Sequence, residues 1–181
     1  MQIRPARPTD APAIARLHAE NWRSTYRNVL DDAYLSGPIE SERQHHWHHQ
    51  LSQPPANQYL IVAEAHGRVI GFACAYGNDD PEWGTLLENL HVGAEHKRKG
   101  IGARLMAQVA HWAQHKYPDR GLYLWVVEPN RNAQAFYLRL GAQNTGNGLW
   151  QPPGGGEIAK YRFAWRDPAA LLAHERETAA H

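Results

Sequence analysis

Six consecutive apolar residues, Leu122-Tyr123-Leu124-Trp125-Val126-Val127, stand between two stretches of helical periodicity, and no other feature restricts the fold so tightly. A continuous apolar run has no polar face to offer water, so it reads as a strand buried on both sides. The stretch before it, Gly100 to Tyr117, carries Ile101, Leu105, Val109 and Trp112 along one side and ends at Pro118. The stretch after it, Asn130 to Leu140, is stopped by Gly141 in the position where a left-handed residue closes a helix. A buried strand between helices belongs to a sheet that helices cover, the α/β class.

The remaining segments fit that class. Residues 1 to 5 predict a short edge strand, and Thr9-Asp10 with Pro12 just inside signals a helix carrying Ile14, Leu17, His18 and Trp22. A second helix is expected from about Ile39 to Leu51, broken by Gln53-Pro54-Pro55-Ala56-Asn57. Tyr59 to Glu64 and Val69 to Tyr76 predict a hairpin joined by His66-Gly67-Arg68. Gly77-Asn78-Asp79-Asp80-Pro81 reads as a turn and Leu86 to Val92 as a third strand of that sheet. Two last strands are expected at about Gln143 to Gln151 and Ile158 to Trp165, divided by Pro152-Pro153-Gly154-Gly155-Gly156. The order β, α, α, β, β, β, α, β, α, β, β is a mixed α/β sheet flanked by helices, with no repeat and no interdomain linker. One domain is therefore expected over residues 1–166, followed by a polar tail, 167–181, with a helix start at Asp167-Pro168.

Charge and cysteine content remove several classes of function. Lys plus Arg number 19 against 18 acids, so no whole-molecule field draws in nucleic acid or anionic lipid, and any anion binding must be local. The single cysteine, Cys74, sits in an apolar run and reads as a buried filler; no internal disulfide can form. No stretch approaches the ~20 apolar residues that span a bilayer, and the N-terminus has no apolar leader, so a cytoplasmic location is expected.

The segment Val92-Gly93-Ala94-Glu95-His96-Lys97-Arg98-Lys99-Gly100-Ile101-Gly102 follows a strand and opens a helix, where free backbone N–H groups and the positive end of the helix dipole collect. Two glycines let the backbone approach an anion closely, and three consecutive cations add charge, so the loop is a candidate phosphate cradle. It matches neither common nucleotide fingerprint. The dinucleotide pattern needs a glycine where Leu105 stands, and the Walker pattern needs Gly-Lys-Ser/Thr where Gly102-Ala103-Arg104 stands. A second element follows the buried strand: Asn130-Arg131-Asn132-Ala133-Gln134-Ala135-Phe136-Tyr137, which sets a tyrosine in mid-helix.

Together these two elements resemble the signature motifs of the GNAT superfamily of N-acetyltransferases. The pattern Gln/Arg-x-x-Gly-x-Gly/Ala falls on Lys97 to Gly102, and Asn-x-x-Ala-x-x-Phe-Tyr falls on Asn130 to Tyr137, about thirty residues later. Lys97 departs from the usual Gln or Arg but keeps the charge. The resemblance extends in element order from residue 3 to about 165, and it implies an acetyl-CoA-dependent enzyme of GNAT-like fold. It implies that the loop, Lys97 to Ala103, cradles the CoA pyrophosphate and that Leu90, His91 and Val92 hydrogen-bond the pantetheine through their backbone. Asn130 would contact the pantetheine from the other side, or cap its own helix, or both.

Direct transfer to an amine needs a base, a polarised carbonyl and a proton for the leaving thiolate. An alkylammonium has a pKa near ~10, so at neutral pH its proton must be removed before attack. Glu88, the one ionised residue of its Leu-rich strand, stands four residues before Val92, and by the resemblance it is the base, directly or through water. Tyr137 is the expected proton donor to the thiolate, and the Val92 N–H the carbonyl polariser. The acceptor is expected over the helices after the first strand, where Trp22 and Tyr26 are followed by Asp31, Asp32 and Tyr34. Aromatic faces with carboxylates nearby suit a cationic amine, polyamine-like or aminoacyl. A structural alternative packs Trp22 in the core, with His18 and Tyr26 closing the surface. His45 and His49 share a helix face, but no further Glu or Cys completes a ligand set, so no metal is expected. Other readings stay open: a non-catalytic acyl-CoA-binding module, an enzyme using another acyl-CoA, an acceptor that is a small molecule or a peptide, and a homodimer.

Overall fold

In the computed structural model, which describes residues 1–27, 29–153 and 155–172, the apolar run Leu122–Val127 is the fifth of seven strands among the described residues. In chain order the elements are β1 (Gln2–Pro5), α1 (Ala11–Thr25), α2 (Asp32–Ser36), α3 (Ile39–Ser52), β2 (Gln58–Ala65), β3 (Arg68–Asp80), β4 (Gly84–Val92), α4 (Ile101–Lys116), β5 (Leu122–Val127), α5 (Arg131–Arg139), β6 (Gln143–Trp150) and β7 (Ile158–Trp165). They form one sheet in the order β1-β2-β3-β4-β5-β7-β6. Only the β4–β5 pair is parallel.

The period-two alternation of the central strands assigns the helices to opposite faces. Leu60, Val62, Phe72 and Cys74 pack with Ile14 and Leu17 of α1 and Trp47 of α3. Their neighbours Ile61, Ala63, Ala73 and Ala75, with Leu122, Leu124 and Val126 of β5, pack with Leu105, Met106 and Val109 of α4 and Tyr137 of α5. Within α3 the fully enclosed side chains are Ile39 and Trp47. An indole hides on the order of 200 Å², worth about 5 kcal/mol at ~25 cal/mol per Å². Trp47 is thus the main attachment of an otherwise polar helix. Its Nε1 donates to His18 Nδ1 at 3.0 Å, which fixes His18 as a neutral acceptor at that nitrogen.

Three local expectations change. The segment Gly77–Asp80 continues β3 rather than turning, because Gly77 lies against the Tyr117 ring, where an added Cβ would fall 1.9 Å from Cε2. The turn comes later, where Asp80 Oδ1 accepts from the Glu82 and Trp83 amides at 2.8 and 2.9 Å. The short α2 was not expected; Asp31 caps it by accepting from Ala33 N at 2.7 Å. In the stretch expected to be a polar tail, Asp167 Oδ1 accepts from Ala169 N at 2.9 Å at the start of a helical turn, and Leu171 is buried in the core. Gly154 and residues 173–181 lie outside the described residues.

Other details follow the sequence. His66 and Gly67, at φ 51° and 71°, make the tight hairpin turn between β2 and β3. Gly141, at φ 85°, follows the last turn of α5. Cys74 is buried and its thiol is pushed up to about 12 by that burial.

Candidate active site

The parallel strands β4 and β5 pair only at Thr85↔Leu122 and Leu86↔Tyr123. Beyond Leu86 they diverge, while the other edge of β4 stays paired with β3 as far as Val92. The β4 backbone groups that face β5 past this point have no strand opposite them, and backbone polar groups need partners. The divergence opens a cleft of about 1360 Å³ lined by Leu86 to Val92 on one side and Trp125 to Val127 on the other. It reaches the loop before α4 at one end and the α1 and α3 side chains on the opposite sheet face at the other. The expected backbone donors Leu90, His91 and Val92 all line it.

At the first end lie Lys97, Arg98, Gly100, Ile101, Gly102 and Ala103; Lys99, expected there too, is not among the lining residues. Gly100 is the N-cap of α4 at φ 76°, and no side chain among the described residues caps that helix. Its first-turn N–H groups, which no intrahelical carbonyl can satisfy, remain available to an anion. The two glycines act differently. A Cβ at Gly100 would enter open space, whereas one at Gly102 would lie 3.3 Å from Phe136 Cζ, so Gly102 serves the close packing of α5 on α4. Gly100→Val is accordingly expected to weaken acetyl-CoA binding about tenfold or more, since a branched side chain occupies the approach and the left-handed backbone is strained by about 1–2 kcal/mol. Calorimetric titration checks this; an unchanged Kd in a folded variant would refute the cradle.

Glu88 falls where β3 and β4 change register, between the pairs Cys74↔Asn89 and Ala75↔Leu87. It is the extra residue of a β-bulge, a device that re-aims a side chain. The carboxylate lines the cleft and water reaches it, yet the cleft walls strip part of its hydration. Burial therefore raises its pKa; Asp79 adds to the effect by like-charge repulsion and Lys160 opposes it. Tyr137 lines the same cleft from α5 with its ring in the core. Burial, with a smaller contribution from Tyr26, holds its phenol protonated well above the usual range. Asn130 also lines the cleft, and its side chain accepts from Ala133 N at 3.2 Å as the α5 cap, which leaves its amide donors for a ligand.

At the far end Trp22, Tyr26 and Trp150 form an aromatic wall, with ring centres 5.1 to 5.6 Å apart. His18 is buried, while Trp22 and Tyr26 are partly buried and both pack against the core cluster of Ala19, Leu30, Leu35 and Ile39 and line the cleft, so the packing expectation for Trp22 and its place in the cleft hold together. Burial pushes the Tyr26 phenol up to about 12 and, with Lys97, brings the His91 imidazole down to about 3, so both are neutral at pH 7. Asp31, Asp32 and Tyr34 do not line the cleft; Asp31 caps α2 and Tyr34 donates to Glu42 at 2.7 Å. Sequence reasoning missed Arg43, His46, Trp125, Trp150 and Lys160, which do line it. Their only signal in the chain is residue type, with nothing in their spacing to bring them together.

His45 Nδ1 lies 2.8 Å from the Ser41 carbonyl, His45 and His49 are exposed, and no group of three metal-ligating side chains is found among the described residues. No helix among the described residues is long and apolar enough to cross a membrane.

Residues 14–142 match the Acetyltransferase (GNAT) family. A probable N-acetyltransferase of Mycobacterium tuberculosis is 29% identical over 160 residues, covering 86% of this chain and 87% of its own. An uncharacterized N-acetyltransferase of Bacillus subtilis is 24% identical over 173 residues, covering 93% and 95%. Among solved structures, PaiA N-acetyltransferase of Thermoplasma acidophilum in complex with coenzyme A superposes with a TM-score of 0.66 at 20% identity, covering 88% of this chain and 96% of its own. YncA, a putative acetyltransferase of Salmonella typhimurium with its cofactor acetyl-CoA, gives 0.63 at 16% identity, covering 91% and 92%.

Proposed function

The chain belongs to the Acetyltransferase (GNAT) family, and from that premise we propose that it transfers the acetyl group of acetyl-CoA to a primary amine of a small molecule or peptide by direct attack. The observation that carries this reading is the gap between β4 and β5, which joins a cation-flanked helix N-terminus to a chamber lined by the carboxylate of Glu88 and the phenols of Tyr137 and Tyr26. Acetyl-CoA, when bound, supplies the acetyl thioester. The first turn of α4, with Lys97 and Arg98, would hold its pyrophosphate, and the free edge of Leu90 to Val92 its pantetheine amides. In this reading the acetyltransferase domain is residues 1–166, with the following segment packed on it through Leu171.

Glu88 takes the proton of the incoming ammonium, directly or through water. The Val92 N–H polarises the thioester carbonyl, the new bond forms between nitrogen and the acetyl carbon, and the carbon–sulfur bond breaks. Tyr137 gives the departing sulfur its proton, and the second proton shed by the acylated nitrogen restores the phenol. A phenol near ~10 and a thiol near ~8.5 are close enough in proton affinity for that transfer, and the burial that raises one raises the other. Trp22 and Tyr26 form the wall against which the acceptor sits.

The experiment is CoA thiol release from acetyl-CoA across a panel of amines. No release with any amine, alongside normal acetyl-CoA binding, would favour a binding module instead. On whichever amine is selected, Tyr26→Ala is expected to raise the acceptor KM about tenfold, the equivalent of ~1.4 kcal/mol of lost aromatic contact, with the acetyl-CoA KM unchanged. Equal effects on both substrates would make this wall structural.

A further inference from the structure

Arg43 is the cleft residue whose chemistry the transfer reaction leaves unused. It stands on α3, across the sheet from the α4 N-terminus, half-buried, with its guanidinium carbon 5.1 Å from the centre of the Trp22 ring. Its Nε is buried and has no hydrogen-bond partner among the described residues. Buried polar donors in folded proteins are ordinarily satisfied, so an orphaned N–H on a guanidinium side chain that lines a cleft points to an acceptor beside that side chain. The carboxylates of its own helix are engaged elsewhere: Glu40 receives Arg23 at 3.2 Å and Glu42 receives Tyr34 at 2.7 Å. Lys160, its Nζ 4.4 Å from the centre of the Trp125 ring, lines the same cleft, as does His46, three residues beyond Arg43. Against these, Glu88 is the one carboxylate among the described lining residues, and the reaction occupies it.

A polyamine would add positive charge beside Arg43 and Lys160 with no second carboxylate to receive it, and uncompensated like charge is a strong discriminator. Resting on the transfer reaction proposed above, the geometry points to an acceptor that carries, besides its amine, an anionic group, a carboxylate or a phosphate. Arg43 takes the anion and Glu88 faces the amine. The planar guanidinium suits both groups through paired N–H donors, and the Trp22 ring, 5.1 Å from its carbon, supports its cation. The expectation of a polyamine-like acceptor, which leaned on Asp31 and Asp32, gives way because neither lines the cleft.

The test compares matched acceptors: amino acids against their decarboxylated amines, phosphoethanolamine against ethanolamine, and spermidine as a cationic control. At least one anion-bearing member should exceed its uncharged partner in kcat/KM by about tenfold or more, and the two arms separate carboxylate from phosphate. In Arg43→Met that ratio should fall to within about twofold of unity while the acetyl-CoA Kd is retained, which also reports folding. Arg43→Lys, which keeps charge but loses the fork, should give an intermediate ratio. Preference for spermidine or for the decarboxylated amines would overturn the inference, as would a preference that survives Arg43→Met. If no amine releases CoA, the transferase reading fails separately. Calorimetry of the same pairs on CoA-loaded protein then decides the anion question, with equal binding of both members refuting it.

Discussion

On the proposed mechanism, Tyr137→Phe is expected to lower kcat about 100-fold or more while the KM for acetyl-CoA changes little, because it removes the proposed proton donor to the thiolate and keeps the ring. The ring itself belongs to the core. It lies 5.2 Å from Phe136, 6.5 Å from Phe163 and 6.3 Å from Trp165, contacts that phenylalanine retains. Thermal stability should therefore move by no more than about 1 kcal/mol. Steady-state kinetics with acetyl-CoA and the best amine, paired with a melting curve, is the measurement. A variant that melts like the parent and keeps its kcat would remove Tyr137 from the mechanism. A variant that loses kcat and stability together would return it to packing.

Glu88→Gln is expected to cost about 100-fold in kcat/KM near neutral pH, with recovery toward the amine pKa of ~10, where the acceptor needs no base. The base must be ionised. With Glu88 as the proposed base, the parent's activity is expected to fall as pH drops through the Glu88 pKa, and because burial and Asp79 raise that value, the acid limb should lie above the ordinary carboxylate range near ~4.3. Asp79→Asn, by removing the like charge, should move the limb to lower pH, and in Glu88→Gln the limb should disappear. Stability carries the opposite sign: the fold favours the protonated carboxyl, so above that pKa the ionised Glu88 opposes folding and Glu88→Gln should melt no lower than the parent. A pH profile of Glu88→Gln that overlays the parent from pH 6 to 10 would assign the base elsewhere.

Much of the site was legible along the chain because its parts are local. The loop before α4 and the start of α5 each lie within one strand–helix junction, so backbone conformation and residue type travel together in sequence. Gly100 was legible as a glycine at the helix start, and the structure adds that its φ is 76°. Asn130 sat where a cap was required and caps. Gly102 was legible as a glycine but not for its reason, since Phe136 reaches it from 34 residues away. The turn expected at Gly77 failed for the same cause: Tyr117, 40 residues on, uses that glycine for contact.

The sequence by itself determined the order of the strands and of the longer helices, with the short α2 (Asp32–Ser36) missed, and the two motifs that bracket β5. Periodicity and local caps encode those things, and they depend on neighbours within a few residues. It could not say that β4 and β5 part company after Leu86, that a bulge re-aims Glu88, or that Arg43 meets Trp22 without a carboxylate of its own. Those outcomes belong to the packing of α1 and α3 on one sheet face and α4 and α5 on the other. A hydrophobic pattern records that a side chain must be buried; only tertiary structure chooses the groups it is buried against.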